Sequence, residues 1–392
     1  MKDVVIVSGA RTAIGNFAGS LKDVKASELG AVVIREAVKR SRIAPEQVDE
    51  VVLGCVGQVA EDAFLARVSS LKAGIPAEAT AITVNRLCSS GLQAIVTAAM
   101  EISCDDAEIV VAGGVESMSN TPYYVRNARW GYRMGHGEFE DGLVTALSDP
   151  ITRDHMGITA ENVAAKYNVC REAQDQFALC SQQKAGKAIA DGLFRGQIVP
   201  ITVKVSRTEE RVFDTDEYPR PKTTLEALAK LRPAFKKDGT VTAGNSSGIN
   251  DGAAAVVVMT AAKASALGLK PVVRFVASAA AGVPPEIMGI GPVPAVKKLL
   301  KRTGIRLDDI GLVELNEAFA AQSVACINEL GMDPAKVNVN GGAIALGHPI
   351  GASGCVITIK LMNEMVRKHV RYGLATLCIG GGQGLAALFE LC

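Results

Sequence analysis

Cys88 is the residue of this sequence whose surroundings most favour nucleophilic chemistry. It follows the apolar, partly β-branched segment 81–84, and apolar residues then recur at helical spacing over 92–99. A strand that leads directly into a helix would place the thiol at the helix N-terminus, where unpaired N–H groups and the helix dipole favour a thiolate. The small residues 89–91 leave room for a carbonyl group at the sulfur. The alternative is a buried structural cysteine, the usual fate of a cysteine in an intracellular protein.

Three more candidates lie in glycine-bounded stretches near the end of the chain. His348 is surrounded by five glycines within 340–354, and the following proline restricts the backbone, so a ligand can approach closely. Asn316 directly follows a predicted buried strand, where an N-cap role is the simpler explanation. Cys378 stands at a strand end before a run of glycines. That run also suggests a phosphate-binding loop, but the helix and ribose-binding acid that such a loop needs are not evident.

The composition limits the classes of protein to consider. A chain of 392 residues is too long for one ordinary core, so we expect two or more domains, and 48% apolar and 21% charged residues are typical of globular proteins. The net charge of +1 does not suggest binding to nucleic acid or to a membrane. Nine scattered cysteines and four histidines lack zinc-type spacing and suit a reducing compartment. No segment approaches the ~20 apolar residues of a membrane span, so the sequence predicts a cytoplasmic protein.

An internal repeat indicates the architecture. Residues 31–54 read AVVIREAVKRSRIAPEQVDEVVLG, and residues 295–316 read AVKKLLKRTGIRLDDIGLVELN. Pairing Lys39 with Lys301 gives an offset of 262 (301 − 39), and the same offset aligns the apolar positions of both copies without a gap. Each copy predicts a helix, a turn and a buried strand, so duplication of an α/β unit is the better interpretation.

The strands predicted for the two halves lie at corresponding places. They are expected near 3–8, 51–56, 81–87 and 108–113 in the first half, and near 272–279, 312–316, 336–340 and 374–379 in the second. Helices alternate with them, which favours mostly parallel sheets covered on both faces. The region between the halves carries one predicted helix at 159–191 and a shorter one at 223–231. We interpret this region as an excursion that covers a ligand or contacts another subunit; a plain connecting domain is the alternative.

The duplication predicts that the four candidate residues meet. Equivalent strand ends of two fused halves lie around a pseudo-twofold axis and can face one cleft, where open α/β sheets bind their ligands. Cys88 and Cys378 would then share this cleft with His348 and Asn316.

Eight motifs, in order along the chain, resemble those of the thiolase family. They are NRLCSSGLQAI around Cys88, GGVESMS at 113–119, HMGITAEN at 155–162, KLRPAF at 230–235, AGNSSGINDGAA at 243–254, NEAFAAQ at 316–322, NGGAIALGHPIGASG at 340–354 and CIGGGQG at 378–384. The resemblance implies an α/β fold of two duplicated βαβαβαββ halves, layered α-β-α-β-α, with an inserted loop domain. The implied boundaries are 1–117 for the first half, 118–250 for a tetramerisation and CoA-covering loop domain that returns to the first half near its end, and 251–392 for the second half.

The resemblance also implies a role for each candidate. Cys88 would take up an acyl group, His348 would accept its proton, and Cys378 would act as general acid and base. His348, with a water held by Asn316, would stabilise an enolate, and the backbone N–H groups of Cys88 and Gly380 would form a second oxyanion hole. The implied substrates are acetyl-CoA, acetoacetyl-CoA and CoA, with neither a metal nor a redox cofactor.

Ten further positions match the coenzyme A contacts of the family. They are Leu147, His155, Met156, Arg220, Phe235, Ala243, Ser247, Met288, Ala318 and Phe319. Ser247 matches within a motif, whereas Arg220 lies in the variable run DTDEYPRP. Glu317, Gly342 and Gly347 lie in the motifs too, but are expected to shape the backbone.

The departures from the family pattern concern the acyl pocket. Ser89 stands where many biosynthetic members have Gly, Gln383 replaces a common Met, and Arg153-Asp154 replaces aromatic residues. These changes bear on the chain-length preference and not on the catalytic set. We favour a short-chain acetyl-CoA C-acetyltransferase, with a broad- or longer-chain 3-ketoacyl-CoA thiolase of fatty-acid β-oxidation as the alternative. Cys88 and Cys378 in one cleft also raise the hypothesis of an inactivating disulfide, which requires Cα atoms within about 7 Å.

Other classes of protein fit the sequence less well. A condensing enzyme of fatty-acid or polyketide type would lack the second cysteine, Cys378. A non-catalytic acyl-CoA or lipid-binding relative would be expected to have lost Cys88, His348 or Cys378. An NAD-dependent dehydrogenase would need a G-x-G-x-x-G motif after the first strand. By the same resemblance we expect a homo-oligomer, in particular a homotetramer, with 118–143 as the tetramerisation loop.

Overall fold

A mixed sheet is the central feature of the computed structural model, which describes residues 2–206 and 208–392. The strands are β1 (Val4–Arg11), β2 (Gly15–Asn16), β3 (Glu50–Gly54), β4 (Thr80–Val84), β5 (Ile109–Ser117), β6 (Tyr123–Tyr124), β7 (Glu140–Asp141), β8 (Ile201–Lys204), β9 (Glu210–Phe213), β10 (Asn250–Thr260), β11 (Val273–Gly282), β12 (Ile310–Leu315), β13 (Tyr372–Ile379) and β14 (Gln383–Leu391). The helices are α1 (Ala26–Ser41), α2 (Leu65–Ala73), α3 (Ser90–Ser103), α4 (Gly142–Ala146), α5 (Met156–Lys166), α6 (Arg171–Ala190), α7 (Leu225–Ala229), α8 (Ala261–Ala266), α9 (Pro292–Thr303), α10 (Ala320–Leu330), α11 (Ala343–Leu346) and α12 (Ile350–Lys368).

The order of strands shows the two halves side by side. The main sheet runs β12-β13-β14-β11-β1-β10-β5-β3-β4, and β2 pairs with β10. Strands β1 and β11, the first of each half, pair with one another and join the halves into one sheet. Strand β10 lies between β1 and β5, so the sheet of the first half extends beyond residue 251, the predicted start of the second half.

The sheet is less parallel than the sequence predicts. Only β3 with β4, β3 with β5, and β12 with β13 pair in parallel; the other pairings are antiparallel. The prediction of mostly parallel sheets is therefore wrong. In the second half, β14 follows β13 after three residues and pairs with it antiparallel; in the first half, β10 returns antiparallel beside β5 after the inserted region, which contains α4 to α7.

The duplication is visible in local backbone geometry. Helices α1 and α9 are followed by left-handed C-cap residues, Arg42 with φ 61° and Gly304 with φ 70°, at the offset found in the sequence. Single 3-10 turns at Pro45–Gln47 and Leu307–Asp309 then keep the same offset. The register of the repeat in the sequence is thus the register of the two folded units.

The predicted strand at 336–340 is not present. Val337 makes an isolated parallel bridge to Val313, and the chain then turns at Asn338, whose φ is 44°. The Asn338 side chain accepts a hydrogen bond from the N–H of Leu315 and donates one to its carbonyl, at 2.9 and 2.8 Å. The side-chain amide of Asn338 therefore makes the hydrogen bonds to Leu315 that a further backbone pair would make, and the strand pairing ends there.

The inserted region contains more, shorter elements than predicted. The predicted helix at 159–191 is two helices, α5 and α6, because Asn168 adopts a left-handed φ of 55° between them. The predicted helix at 223–231 is confirmed in the shorter form of α7. Two small hairpins, β6–β7 and β8–β9, belong to the same region.

Two helices that begin at the candidate site pack against each other in the centre of the molecule. A Cβ atom on Gly91 of α3 would lie only 2.8 Å from the backbone nitrogen of Cys355 in α12, and a Cβ atom on Gly354 would collide with Leu92. Glycines thus let the two backbones approach closely. Both helices are largely buried, so the residues that precede them are held by the core.

Among the residues that the structure describes, no helix combines the length and the apolar composition that crossing a bilayer requires.

Candidate active site

A cavity of about 580 Å³ contains the candidate nucleophile and the candidate base. Cys88 and His348 both line it, as do all ten positions matched to coenzyme A contacts: Leu147, His155, Met156, Arg220, Phe235, Ala243, Ser247, Met288, Ala318 and Phe319. The first half, the inserted region and the second half all contribute to the lining. The predicted meeting of distant segments is therefore found in the fold.

Cys88 lies in a 3-10 turn, Leu87–Ser89, directly before α3. The preceding strand ends at Val84, earlier than predicted, and Leu87 has a left-handed φ of 46°, which costs about 1 kcal/mol for a residue with a Cβ atom. The Ser90 hydroxyl holds this turn, because it accepts from the N–H of Arg86 at 2.9 Å and donates to the carbonyl of Leu87 at 2.7 Å. Cys88 therefore lies on a turn with backbone strain at Leu87, and the two hydrogen bonds of Ser90 stabilise this turn.

The resting form of Cys88 differs from the sequence expectation. Burial raises the pKa of its thiol to about 11, while the backbone N–H groups of Gly380 and of Cys88 itself act in the opposite direction. The carboxylate of Glu116 raises this pKa further. The expectation of a thiolate at Cys88 is therefore wrong, because desolvation outweighs the effect of the hydrogen-bond donors at the turn.

His348 is oriented as a neutral base. Its Nδ1 lies 2.6 Å from the Ser353 hydroxyl, which donates its own proton to the carbonyl of Pro349 at 2.9 Å. Ser353 must therefore accept from Nδ1–H, and this leaves the lone pair on Nε2. Burial lowers the pKa of His348 to about 4. The imidazole is thus uncharged near neutral pH, with its basic nitrogen on the side of Asn316.

Asn316 completes the surroundings of His348. Its Nδ2 donates towards His348 Nε2 at 3.4 Å, and its backbone N–H donates to the carbonyl of Thr376 at 3.0 Å. Helix α10 begins at Ala320 with Phe319 as its N-cap, so the N-cap explanation for Asn316 is wrong. The side-chain oxygen of Asn316 is buried and has no hydrogen-bond partner among the described residues. It is free to accept from a water or a substrate group.

Cys378 lies behind the cavity wall at the end of β13. The side chain is fully buried and packs in one cluster with Met288, Ala318 and Phe319, which line the cavity. Burial raises the pKa of the Cys378 thiol well above its usual value, and the neighbouring Cys88, in its charged form, raises it further. Both cysteines are free thiols.

Gly380 connects the two cysteine segments. A Cβ atom at this position would lie 3.3 Å from both the Leu87 side chain and the Met156 sulfur. Only a residue without a side chain fits there undisturbed, with its N–H directed to Cys88. Asn316, Cys378 and Gly380 do not line the cavity; they lie immediately behind its wall and act on groups that do.

Aromatic side chains form one wall of the channel. His155 stacks on Phe235 with ring centroids 4.9 Å apart, and Phe235 meets Phe319 edge-on at 6.1 Å. Gly157 lies beneath the Phe235 ring, where a Cβ atom would collide. Towards the mouth, the guanidinium of Arg220 lies 5.7 Å from the centre of the Tyr218 ring. An apolar channel with a cationic entrance fits a long, flexible, anionic ligand.

Sequence reasoning missed several lining residues. They are Asn16, Phe17, Met118, Tyr218, Ala234, Ser246, Gly248, Ile249 and Ile350. Six of them lie inside the motifs quoted above, so the signal was present but not used. Asn16, Phe17 and Tyr218 lie outside any motif. The orienting role of Ser353 was also missed, although it lies five residues after His348.

Comparisons with known proteins identify the family of this chain. The family model "Thiolase, N-terminal domain" matches residues 4–262, and "Thiolase, C-terminal domain" matches residues 269–391. The chain is 55% identical to an acetyl-CoA acetyltransferase of Pseudomonas aeruginosa, covering 98% of each chain, and 53% identical to beta-ketothiolase BktB of Cupriavidus necator, covering 99% of each. The crystal structure of a Bacillus anthracis acetyl-CoA acetyltransferase superposes with a TM-score of 0.98 at 50% identity, over 100% of this chain and 99% of that one.

Proposed function

The chain belongs to the thiolase family, and on that premise we propose that it is an acetyl-CoA C-acetyltransferase. This acyltransferase would join two acetyl-CoA molecules into acetoacetyl-CoA and CoA, and would run the reverse thiolysis of short 3-ketoacyl-CoA. The observation that carries the proposal is the pair formed by a cysteine and a neutral histidine, Cys88 and His348, in one apolar channel.

The first half-reaction would acylate Cys88. The sulfur attacks the thioester carbonyl, and its proton goes to Nε2 of His348, which the hydrogen bond to Ser353 keeps unprotonated. The backbone N–H groups of Cys88 and Gly380, whose positions already favour negative charge at this point, would hold the oxyanion. CoA leaves as its sulfur takes a proton from Cys378, so that an acyl-Cys88 and a Cys378 thiolate remain.

The second half-reaction would form the carbon–carbon bond. The Cys378 thiolate removes a proton from the α-carbon of a second acetyl-CoA, and the protonated His348 stabilises the resulting enolate oxygen. The unpartnered oxygen of Asn316 supports the proposal that a water at this place completes the oxyanion site. The enolate carbon attacks the acyl group, and Cys88 leaves as a thiolate. His348 then returns its proton to this thiolate.

A second candidate function is a broad- or longer-chain 3-ketoacyl-CoA thiolase. The side chains that pack around Cys88 favour it, because they are flexible or aliphatic: Met118, Leu147, Ile249 and Ile350. Such a wall can repack around a longer acyl group. A relative named beta-ketothiolase at 53% identity supports the same possibility.

The ten channel residues named above are proposed to bind coenzyme A. Their support is the shared cavity, in which Arg220 at the mouth would meet the phosphates and the aromatic wall would contact the pantetheine arm. We further propose that neither a metal nor a redox cofactor takes part, since acyl transfer between sulfurs changes no oxidation state.

The assembly is proposed to be a homotetramer formed through the segment 118–143. This segment carries large apolar side chains in contact with solvent, among them Trp130 at 82% exposure, Phe139 at 78% and Met134 at 95%. An exposed patch of this kind is typical of a protein interface. A cytoplasmic location is proposed from the free thiols of all nine cysteines.

The test is thiolysis of acetoacetyl-CoA by free CoA, followed through loss of the enolate absorbance. We expect turnover by the wild type and none by Cys88→Ala, with Cys104→Ala as a control because Cys104 is exposed and remote from the cavity. The same assay with 3-ketohexanoyl-CoA and 3-ketooctanoyl-CoA separates the two candidate functions. If the folded wild type cleaves no 3-ketoacyl-CoA, a non-catalytic acyl-CoA-binding role replaces the proposal.

A further inference from the structure

Glu116 is a buried carboxylate next to the nucleophile that the reaction described above does not use. We infer that Glu116 is a positioning residue, whose carboxylate ties together two segments that contact Cys88 and places a negative charge near that thiol. The inference rests on the proposed role of Cys88.

The Glu116 side chain is 4% exposed and is surrounded by hydrogen-bond donors. One oxygen accepts from the backbone N–H groups of Val56 at 3.0 Å and Gly351 at 2.8 Å. The other accepts from the N–H of Gly57 at 3.0 Å and lies 3.7 Å from the Cys55 sulfur. One carboxylate therefore joins the loop after β3, in the first half, to the first turn of α12, in the second.

Both of these segments contribute to the surroundings of Cys88. Val56 and Ile350, each beside a backbone group held by Glu116, pack in one cluster with Cys88. His348 precedes Ile350 by two residues, so the hydrogen bond between Gly351 and Glu116 also helps to fix the position of His348. Loss of the tie would loosen the nucleophile and the base together.

The hydrogen bonds around Glu116 fit a charged group. Three backbone N–H groups point at its two oxygens, which leaves a bound proton no acceptor among these partners. Burial raises the pKa of Glu116, and the three N–H groups oppose this effect. The dipole of the 19-residue helix α12, whose first turn it touches, also favours the anion.

The titratable groups around Cys88 show which charges act on the pKa of its thiol. Glu116 is the carboxylate whose charge raises the pKa of Cys88, and the Cys378 thiol is a second titratable neighbour. Next to Glu116 itself stands Cys55, whose pKa is raised by both Glu116 and Asp62. Burial lowers the pKa of His348, which is neutral, and His155, Tyr218 and Arg220 are the other titratable groups that line the cavity. The charge on Glu116 therefore adds to the effect of burial, which is the main cause of the raised pKa of Cys88.

The decisive experiment measures the reactivity of Cys88 without any substrate. Iodoacetamide alkylation of the Cys88 peptide is followed by mass spectrometry between pH 7 and pH 9 in the wild type and in Glu116→Gln. Removing the charge takes away one of the effects that raise the pKa of Cys88, so the thiolate fraction rises; for each tenfold rise in this fraction, the intrinsic reactivity of the thiolate falls by only about threefold. We expect alkylation about threefold faster at each pH, together with a fall in kcat for thiolysis.

Two further variants make the result interpretable. Glu116→Asp keeps the charge but shortens the reach to Gly351, so we expect a lower kcat with wild-type alkylation rates. Glu101→Gln removes another half-buried carboxylate, which does not contribute to the pKa of Cys88, and should change neither. Unchanged alkylation in folded Glu116→Gln, or faster alkylation in Glu116→Asp, would overturn the inference. If the alkylation rates shift as expected in a protein that cleaves no 3-ketoacyl-CoA, the proposed function fails while the inference about Glu116 stands.

Discussion

The two duplicated halves share one scaffold but contribute unlike cysteines to the site. Cys88 of the first half stands on a strained turn at the cavity surface, where N–H groups from both Gly380 and Cys88 lower its pKa against the effect of burial. Cys378 of the second half is fully enclosed behind the wall, and only its own N–H acts in this way. The two N–H groups that point to Cys88 favour negative charge on its sulfur or on a substrate oxygen bound there. Cys378, with its own N–H alone, is suited to gaining and losing a proton. In the proposed mechanism, this difference fits Cys88 of the first half as the nucleophile and Cys378 of the second half as the proton shuttle.

Replacing the two cysteines in turn should give the largest effects and separate the two roles. We expect Cys88→Ala and Cys378→Ala each to reduce thiolysis by at least about a thousandfold, because each removes a reacting group. Only Cys378→Ala should still take up label from radioactive acetyl-CoA, since its nucleophile is intact. Labelling of folded Cys88→Ala, or equal loss of labelling in both variants, would contradict the roles proposed for the two cysteines.

Gly380→Ala tests the link between the halves. The added Cβ would press on Leu87 and Met156 at 3.3 Å and shift the N–H that faces Cys88. Loss of one oxyanion donor costs about a hundredfold in kcat, and we expect a similar fall here. Gly196→Ala is the matched control, because a Cβ atom there meets no atom within 4 Å. Wild-type kcat in Gly380→Ala would show that this N–H holds no charge in the reaction.

The neutral His348 predicts how stability depends on pH. Its pKa is about 4 in the folded protein, below the ordinary value of 6.5, so the unfolded chain binds the proton more readily. The stability associated with this residue is complete above about pH 6.5 and falls as the pH decreases towards 4, by about 2 kcal/mol between pH 7 and pH 5. Urea unfolding at these two pH values should show a smaller decrease in His348→Asn. An equal decrease in both proteins would place the acid sensitivity elsewhere.

Gln383→Met should have the smallest effect. Gln383, in the second half, accepts a hydrogen bond at 3.2 Å from Arg86, two residues before Cys88, and Arg86 also donates to Gln93 at 2.7 Å. Since Gln93 remains, we expect a loss of about 1 kcal/mol or less in stability and less than a threefold change in kcat for acetoacetyl-CoA. A tenfold change would show that this single bond sets the spacing of the two cysteine segments.

Local sequence patterns predicted most of the scaffold but failed at Asn338 and at Asn168. The repeat predicted α1 with α9 and β3 with β12 because each depends on neighbours a few residues away. The strand at 336–340 was wrong because the Asn338 side chain pairs with Leu315, a distant residue that no local pattern shows. The long helix at 159–191 was wrong because apolar spacing continues across Asn168, where the backbone turns left-handed.

What the sequence determined by itself was the set of chemical groups and the duplicated order in which they occur. Motifs around Cys88, His348, Asn316 and Cys378 identified the family before any contact was known. Only the tertiary structure decided the protonation of these groups: a buried neutral thiol, an imidazole protonated on Nδ1 through Ser353, and an unpartnered oxygen on Asn316. The physical reason is that pKa values and hydrogen-bond partners depend on burial and on groups far away in the chain, whereas residue types and their spacing do not.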